Sequence, residues 1–151
     1  MARTLETSET VVIDRPLPEV FRYMTNPDNL PEWSSNVIEY KVLSGAPNEV
    51  GAVMDVTVRV AGVRIHATEE LSDYQENKVL RIRSKESKIG YDREIDFASD
   101  GDGATQVTFR QKADAGSGLF KFADAVVVKM YARDVRSNLE NAKAILESAD
   151  S

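Results

Sequence analysis

The chain has 151 residues, enough for one domain with a sizeable buried core. Its formal net charge of −6 disfavours nucleic acid and anionic membrane surfaces as partners. The absence of cysteine excludes disulfides, thiolate nucleophiles and cysteine-ligated metals.

Residues 1–10 are polar and lack the apolar stretch of a signal peptide. No apolar run approaches the roughly 20 residues of a membrane span, and the run at 123–128 is far too short. A single cytoplasmic domain over residues 1–151 is expected, with no repeat or linker. All five prolines lie between Pro16 and Pro47, so irregular structure belongs to the first third of the chain.

Residues 4–14 end in the β-branched run Thr10-Val11-Val12-Ile13, which predicts a strand. Pro16 and Pro18 stop it, and Pro18 suits the first turn of a short helix with Val20, Phe21 and Met24 on one face. Asn26 to Trp33, with Pro27 and Pro31, predicts a second short helical piece.

From Val37 the hydrophobic period becomes two. Ile38, Tyr40 and Val42 alternate with charge, and so do Met54, Val56 and Val58. Ile65 and Ala67, then Leu80 and Ile82, continue the pattern, followed by Tyr91, Arg93, Ile95 and Phe97, and by Val107 and Phe109. Alternation repeated over six strands predicts an antiparallel sheet with one dry face. Turn signals separate the strands at Gly45, Gly62, Asn77 and Asp100-Gly101-Asp102-Gly103.

The last segment, roughly 117–148, changes to helical spacing. Leu119, Phe122, Val126, Met130, Val135, Leu139, Ala142 and Leu146 mark its apolar stripe. Such a helix is about 45 Å long. One dry sheet face and one apolar helix stripe bury each other. The expected fold is α+β: about seven antiparallel strands in a curved sheet, two short helices after the first strand, and a long C-terminal helix.

This order and several local patterns resemble the helix-grip superfamily, which includes START lipid-transfer domains and the birch-pollen-allergen group. The resemblance rests on Val11 to Met24 (strand, proline, Glu19-Val20-Phe21 helix), on Asn26-Pro27 followed by Trp33, on Gly51-Ala52-Val53-Met54, and on the long final helix. It covers nearly the whole chain and is nearest the small bacterial polyketide cyclase/dehydrase-like proteins. It implies a hydrophobic cavity between sheet and helix. It supplies no catalytic motif to carry over.

The residues limit the chemistry further. His66 is the only histidine, and its phase opposes Ile65 and Ala67, so it points to solvent. One histidine without cysteine leaves no zinc ligand set. Asp100-Gly101-Asp102-Gly103 lacks the later ligands of a calcium loop and reads as a hairpin turn. Gly116-Ser117-Gly118 reads as a turn with Ser117 capping the long helix. No metal or cofactor is expected.

Arg93 and Tyr91 share the dry phase of Ile95 and Phe97, and Glu69 shares that of Ile65 and Leu71. Charge on a dry face is costly unless paired. Either Arg93 and Glu69 pair across a lumen that holds a polar-headed ligand, or a β-bulge or strand end turns them outward. Trp33, Tyr40, Phe97, Phe109 and Phe122 would supply aromatic walls. Met54, Val56, Ile65, Val126 and Met130 complete the expected lining.

Three functions follow as expectations. The first is binding or transport of a small hydrophobic or amphipathic ligand, lipid or polyketide-like, by a monomer or homodimer. The second is a cyclase/dehydratase-type enzyme using Arg93, Tyr91 or Glu69 as acid, base or carbonyl polariser. The third is a partner-binding module, which would need an exposed apolar patch that the alternation does not provide.

Overall fold

The computed structural model describes residues 3–60, 62–86, 90–115 and 124–148. Strand β1 (Arg3–Ile13) is followed by helix α1 (Leu17–Thr25), a 3-10 turn (Pro27–Asn29) and the single-turn α2 (Leu30–Trp33). Six strands come next: β2 (Val37–Ser44), β3 (Val53–Val60), β4 (Val63–Gln75), β5 (Val79–Glu86), β6 (Tyr91–Ser99) and β7 (Thr105–Ala115). Helix α3 (Asp124–Ser148) has 25 residues, about 37 Å. This is the predicted order. The Ser117 cap, Leu119 and Phe122 lie outside the described residues, as does the side chain of Val126.

The strands form one antiparallel seven-stranded sheet in the order β1-β7-β6-β5-β4-β3-β2. The β2 to β7 meander runs hairpin to hairpin, and β1 joins its end by pairing with β7. The inner face carries Met54, Val56, Ala67, Leu71, Ile82, Ile95, Phe97, Val107 and Phe109, all buried. Prolines hold the entry to α1: Pro16 takes an extended N-cap conformation and Pro18 sits in the first turn. Val20, Phe21 and Met24 are buried as expected. Phe21 meets Phe97 edge-on at 4.9 Å and Tyr74 at 5.4 Å, which closes one end of the sheet.

Helix α3 buries Val135, Asn138, Leu139, Ala142 and Leu146. It also covers part of the β1 edge. Lys143 Nζ donates to the Val12 carbonyl at 2.7 Å, and Glu147 Oε2 accepts from the Asp14 amide at 2.8 Å. Edge groups that would otherwise invite pairing are thereby occupied.

Two expectations are corrected. Met130 is 42% exposed, not part of the buried stripe. It lies five residues before Val135 and about 180° around the helix from Leu139, so it left the stripe's phase. Ile38 is 40% exposed because a register shift between Val37 and Glu39 breaks the β2 alternation.

Candidate functional site

The inner face is largely apolar, and β4 and β6 place three polar side chains together on it, with Gln111 on β7 opposite Arg93 and the buried Thr7 on β1 opposite Gln111. Glu69 on β4 is 1% exposed, with buried Met54 opposite it on β3. Arg93 on β6 donates to it through both terminal nitrogens, Nη2 to Oε1 at 3.0 Å and Nη1 to Oε2 at 3.1 Å. The Tyr91 hydroxyl donates to Oε2 in a short contact. This is the paired arrangement, not the outward one.

Strand β5 lies between these partners, so Arg93 reaches across a whole strand. Two features make that reach possible. The β5 residue opposite Glu69 is the small Ser84, which leaves room above the strand. Ser84 also accepts the Tyr91 amide hydrogen through Oγ at 3.0 Å, pinning the start of β6. Register shifts at Thr68/Glu69 and Leu71/Asp73 flank the site, yet Ala67, Glu69 and Leu71 keep their inward phase. The second shift brings Tyr74 inward against Phe21.

The electrostatics follow from burial. Burial opposes the Arg93 charge, but Glu69, with Tyr91 and Tyr40 behind it, more than offsets that and raises the guanidinium above its ordinary value. Tyr40 on β2 feels the same pair. Burial raises its phenol well above the usual range, Glu69 raises it further, and Arg93 opposes. Tyr40 therefore keeps its proton at neutral pH and remains a donor. The charge-assisted, two-pronged Arg–carboxylate contact fixes orientation as well as energy.

The other candidates are placed as follows. Trp33, Met54, Val56, Phe97 and Phe109 are buried and Ile65 and Tyr40 half-buried, while Met130 is exposed. Phe97 is committed to Phe21. Trp33 Nε1 has no hydrogen-bond partner among the described residues. His66 is 62% exposed on the outer face, with Nε2 2.6 Å from Asp55 Oδ1. Among the described residues, no group of three or more His, Asp or Glu side chains gathers as a metal site.

Sequence reasoning missed two residues. Ser84 looked like an ordinary strand position, and only the pairing of β4 with β5 gives it a role. Asn138 sits among the buried residues of α3 and was readable as a polar interruption of the stripe. Its Oδ1 accepts from the Ser35 amide and hydroxyl at 3.0 Å each, and its Nδ2 donates to Asn36 Oδ1 at 2.7 Å and Ser34 Oγ at 3.3 Å. Asn36 in turn donates to Asp134 Oδ2 at 3.0 Å. The α2–β2 connection is thus clasped to α3.

Comparison with known proteins adds the family context. The profile of the family described as polyketide cyclase/dehydrase and lipid transport matches residues 4–147. A solved structure of TTHA0849 from Thermus thermophilus superimposes with a TM-score of 0.82 at 18% identity, covering 97% of this chain and 99% of that one. The Zhui aromatase/cyclase from a Streptomyces species gives 0.82 at 14% identity, covering 96% and 94%. A START superfamily protein from Mycobacterium smegmatis gives 0.68 at 10% identity, covering 89% and 97%. These identities speak for the fold alone. No curated protein matches the chain.

Proposed function

The chain belongs to the polyketide cyclase/dehydrase and lipid transport family, and from that premise we propose that it binds a small hydrophobic or amphipathic molecule between the sheet and α3. One observation carries this reading: a buried Glu69 paired with the half-buried Arg93 and the Tyr91 hydroxyl on a largely apolar inner face. A buried pair is weak evidence for stability, because apolar residues of similar volume often serve the core as well or better. A face of apolar walls with a few convergent polar groups is the usual character of a small-molecule site. Met54 opposite Glu69 and the half-buried Tyr40 extend that character toward β2.

A second reading is an enzyme of the cyclase/dehydratase kind. It is favoured by the direct Tyr91–Glu69 contact, a proton donor held on a carboxylate beside a fixed cation. In that reading Arg93 polarises a ligand carbonyl and the Tyr91–Glu69 pair moves a proton. The structural likeness to an aromatase/cyclase points the same way at the level of fold.

Purification from the native host followed by mass spectrometry of bound small molecules tests both. An intact apolar ligand recovered in stoichiometric amount supports binding and transport. Conversion of that ligand on incubation with fresh protein supports the enzyme. A protein that neither carries an apolar molecule nor takes up a neutral dye such as Nile red sinks the proposal.

A further inference from the structure

We infer that Glu69 is a specificity residue that turns the site toward neutral oxygen-bearing ligands and against carboxylates. The inference rests on the ligand-binding reading and deepens it by naming the head-group class. Left alone, a buried arginine on an apolar wall is a ready receptor for a fatty or aromatic acid, because its fork matches a carboxylate in two places. Here that fork is already taken. Both terminal nitrogens of Arg93 lie on Glu69, and the same carboxylate also takes the Tyr91 hydroxyl. An incoming carboxylate would have to displace Glu69, which is 1% exposed, or bring a second negative charge beside it. Displacement strands a buried carboxylate, and juxtaposition sets like charges together out of water.

A hydroxyl or ketone oxygen meets no such obstacle. The pair has no net charge, so it presents a fixed dipole, and a guanidinium has five N–H donors, of which Glu69 takes two. Tyr40 adds a phenol that stays protonated beside the same pair, and none of the described residues makes a hydrogen bond with its hydroxyl. Arg93 and Tyr40 thus bring donors to the cluster, the Glu69 carboxylate already accepts three hydrogen bonds, and Gln111 opposite Arg93 on β7 adds an uncharged amide, a setting suited to an uncharged oxygen. The ligands that fit are alcohols, phenols and ketones on an apolar skeleton.

The test compares two probes with one skeleton, 2-acetylnaphthalene and 2-naphthoate, by isothermal titration calorimetry at pH 7.5, with Nile red uptake as an independent check on the cavity. The wild-type chain is expected to bind the ketone about tenfold tighter or better. In Glu69→Gln the fork of Arg93 is released, and the preference should shrink or invert because naphthoate gains affinity. Equal or tighter binding of naphthoate by the wild type overturns the inference while leaving the binding site intact. Failure of all three probes overturns the binding reading and this inference with it. If Glu69→Gln does not fold, the wild-type ratio alone decides.

Discussion

Arg93 of β6 reaches over β5 to close both of its terminal nitrogens on Glu69 of β4, the charged side chain of lowest exposure among the described residues. If this pair is kept for a ligand and not for the fold, breaking it and replacing it have different consequences. Glu69→Leu strands Arg93 and should cost about 3–5 kcal/mol of unfolding free energy. The triple replacement Glu69→Leu, Tyr91→Phe, Arg93→Met removes the two charges and the Tyr91 hydroxyl together and should lie within about 1–2 kcal/mol of wild type, or above it. Urea unfolding at pH 7 reads both. A triple variant as damaged as the single one would mean that the pair contributes net stability.

Asn138 is the other buried polar hub, 6% exposed and engaged with Ser34, Ser35 and Asn36. Asn138→Ala removes these bonds and leaves the Ser35 amide and the Asn36 side chain short of partners. The expected loss is about 2–3 kcal/mol, since orphaned partners cost more than the bonds contribute. Asn138→Asp keeps the acceptor but loses the donations, and should fall between. If both variants unfold with the wild-type midpoint, the clasp is not holding the α2–β2 connection to α3.

The fold was readable because its signals are local and repeated. Strands β3, β6 and β7 show in period-two alternation, and the Pro16–Pro18 pair and Asn26-Pro27 mark where the chain leaves the sheet. The inward phase of Glu69, Tyr91 and Arg93 was readable for the same reason. Which residue meets which was not, because that depends on register: the shift at Thr68/Glu69 sets Ser84 opposite Glu69, and no local pattern encodes it. Ile38 was misread because a bulge is invisible to alternation. Met130 was misread because a spacing of five was accepted as helical phase.

The outer face carries a pH-dependent cluster. Arg110 Nη1 contacts both Glu94 and Asp96, with Glu94 also 2.6 Å from Arg81 Nε. Burial, then the hydrogen bond and charge of Glu94, push the Asp96 carboxyl up to about 6 from an ordinary 3.8. Glu94 is lowered, mainly by its hydrogen bond with Asp96 and, against burial, by Arg81 and Arg110. The folded chain therefore holds a proton at Asp96 that the unfolded chain releases. The stability from that site is full below the unfolded value and is lost as pH rises through about 6. Glu94 works in the opposite sense, its contribution being lost as pH falls below its ordinary 4.5. Asp96→Asn stays neutral throughout, so it should gain on wild type between pH 4.5 and pH 8. The gain should be about 1 kcal/mol or less, because Asp96 is 35% exposed and screened. A variant-minus-wild-type difference that does not change over this range, followed by urea midpoints, refutes the assignment.

Two glycines share a backbone conformation but not their surroundings, and so separate strain from packing. Gly45 has φ +79° and Gly62 φ +80°, both in the left-handed region where a side chain is strained. A Cβ built on Gly62 meets nothing within 4 Å, whereas one on Gly45 lies 3.0 Å from the Ala52 Cα and 3.2 Å from its Cβ. Ala52 is buried just ahead of β3 and cannot easily yield. Gly62→Ala should cost about 1–2 kcal/mol, the strain alone. Gly45→Ala should cost that plus about 1–3 kcal/mol of overpacking against the start of β3. Thermal or urea unfolding of the two variants side by side reads the difference directly. Equal losses would show that the β2–β3 turn gives way around an added methyl, and that close packing of Gly45 on Ala52 does not fix how β2 meets β3.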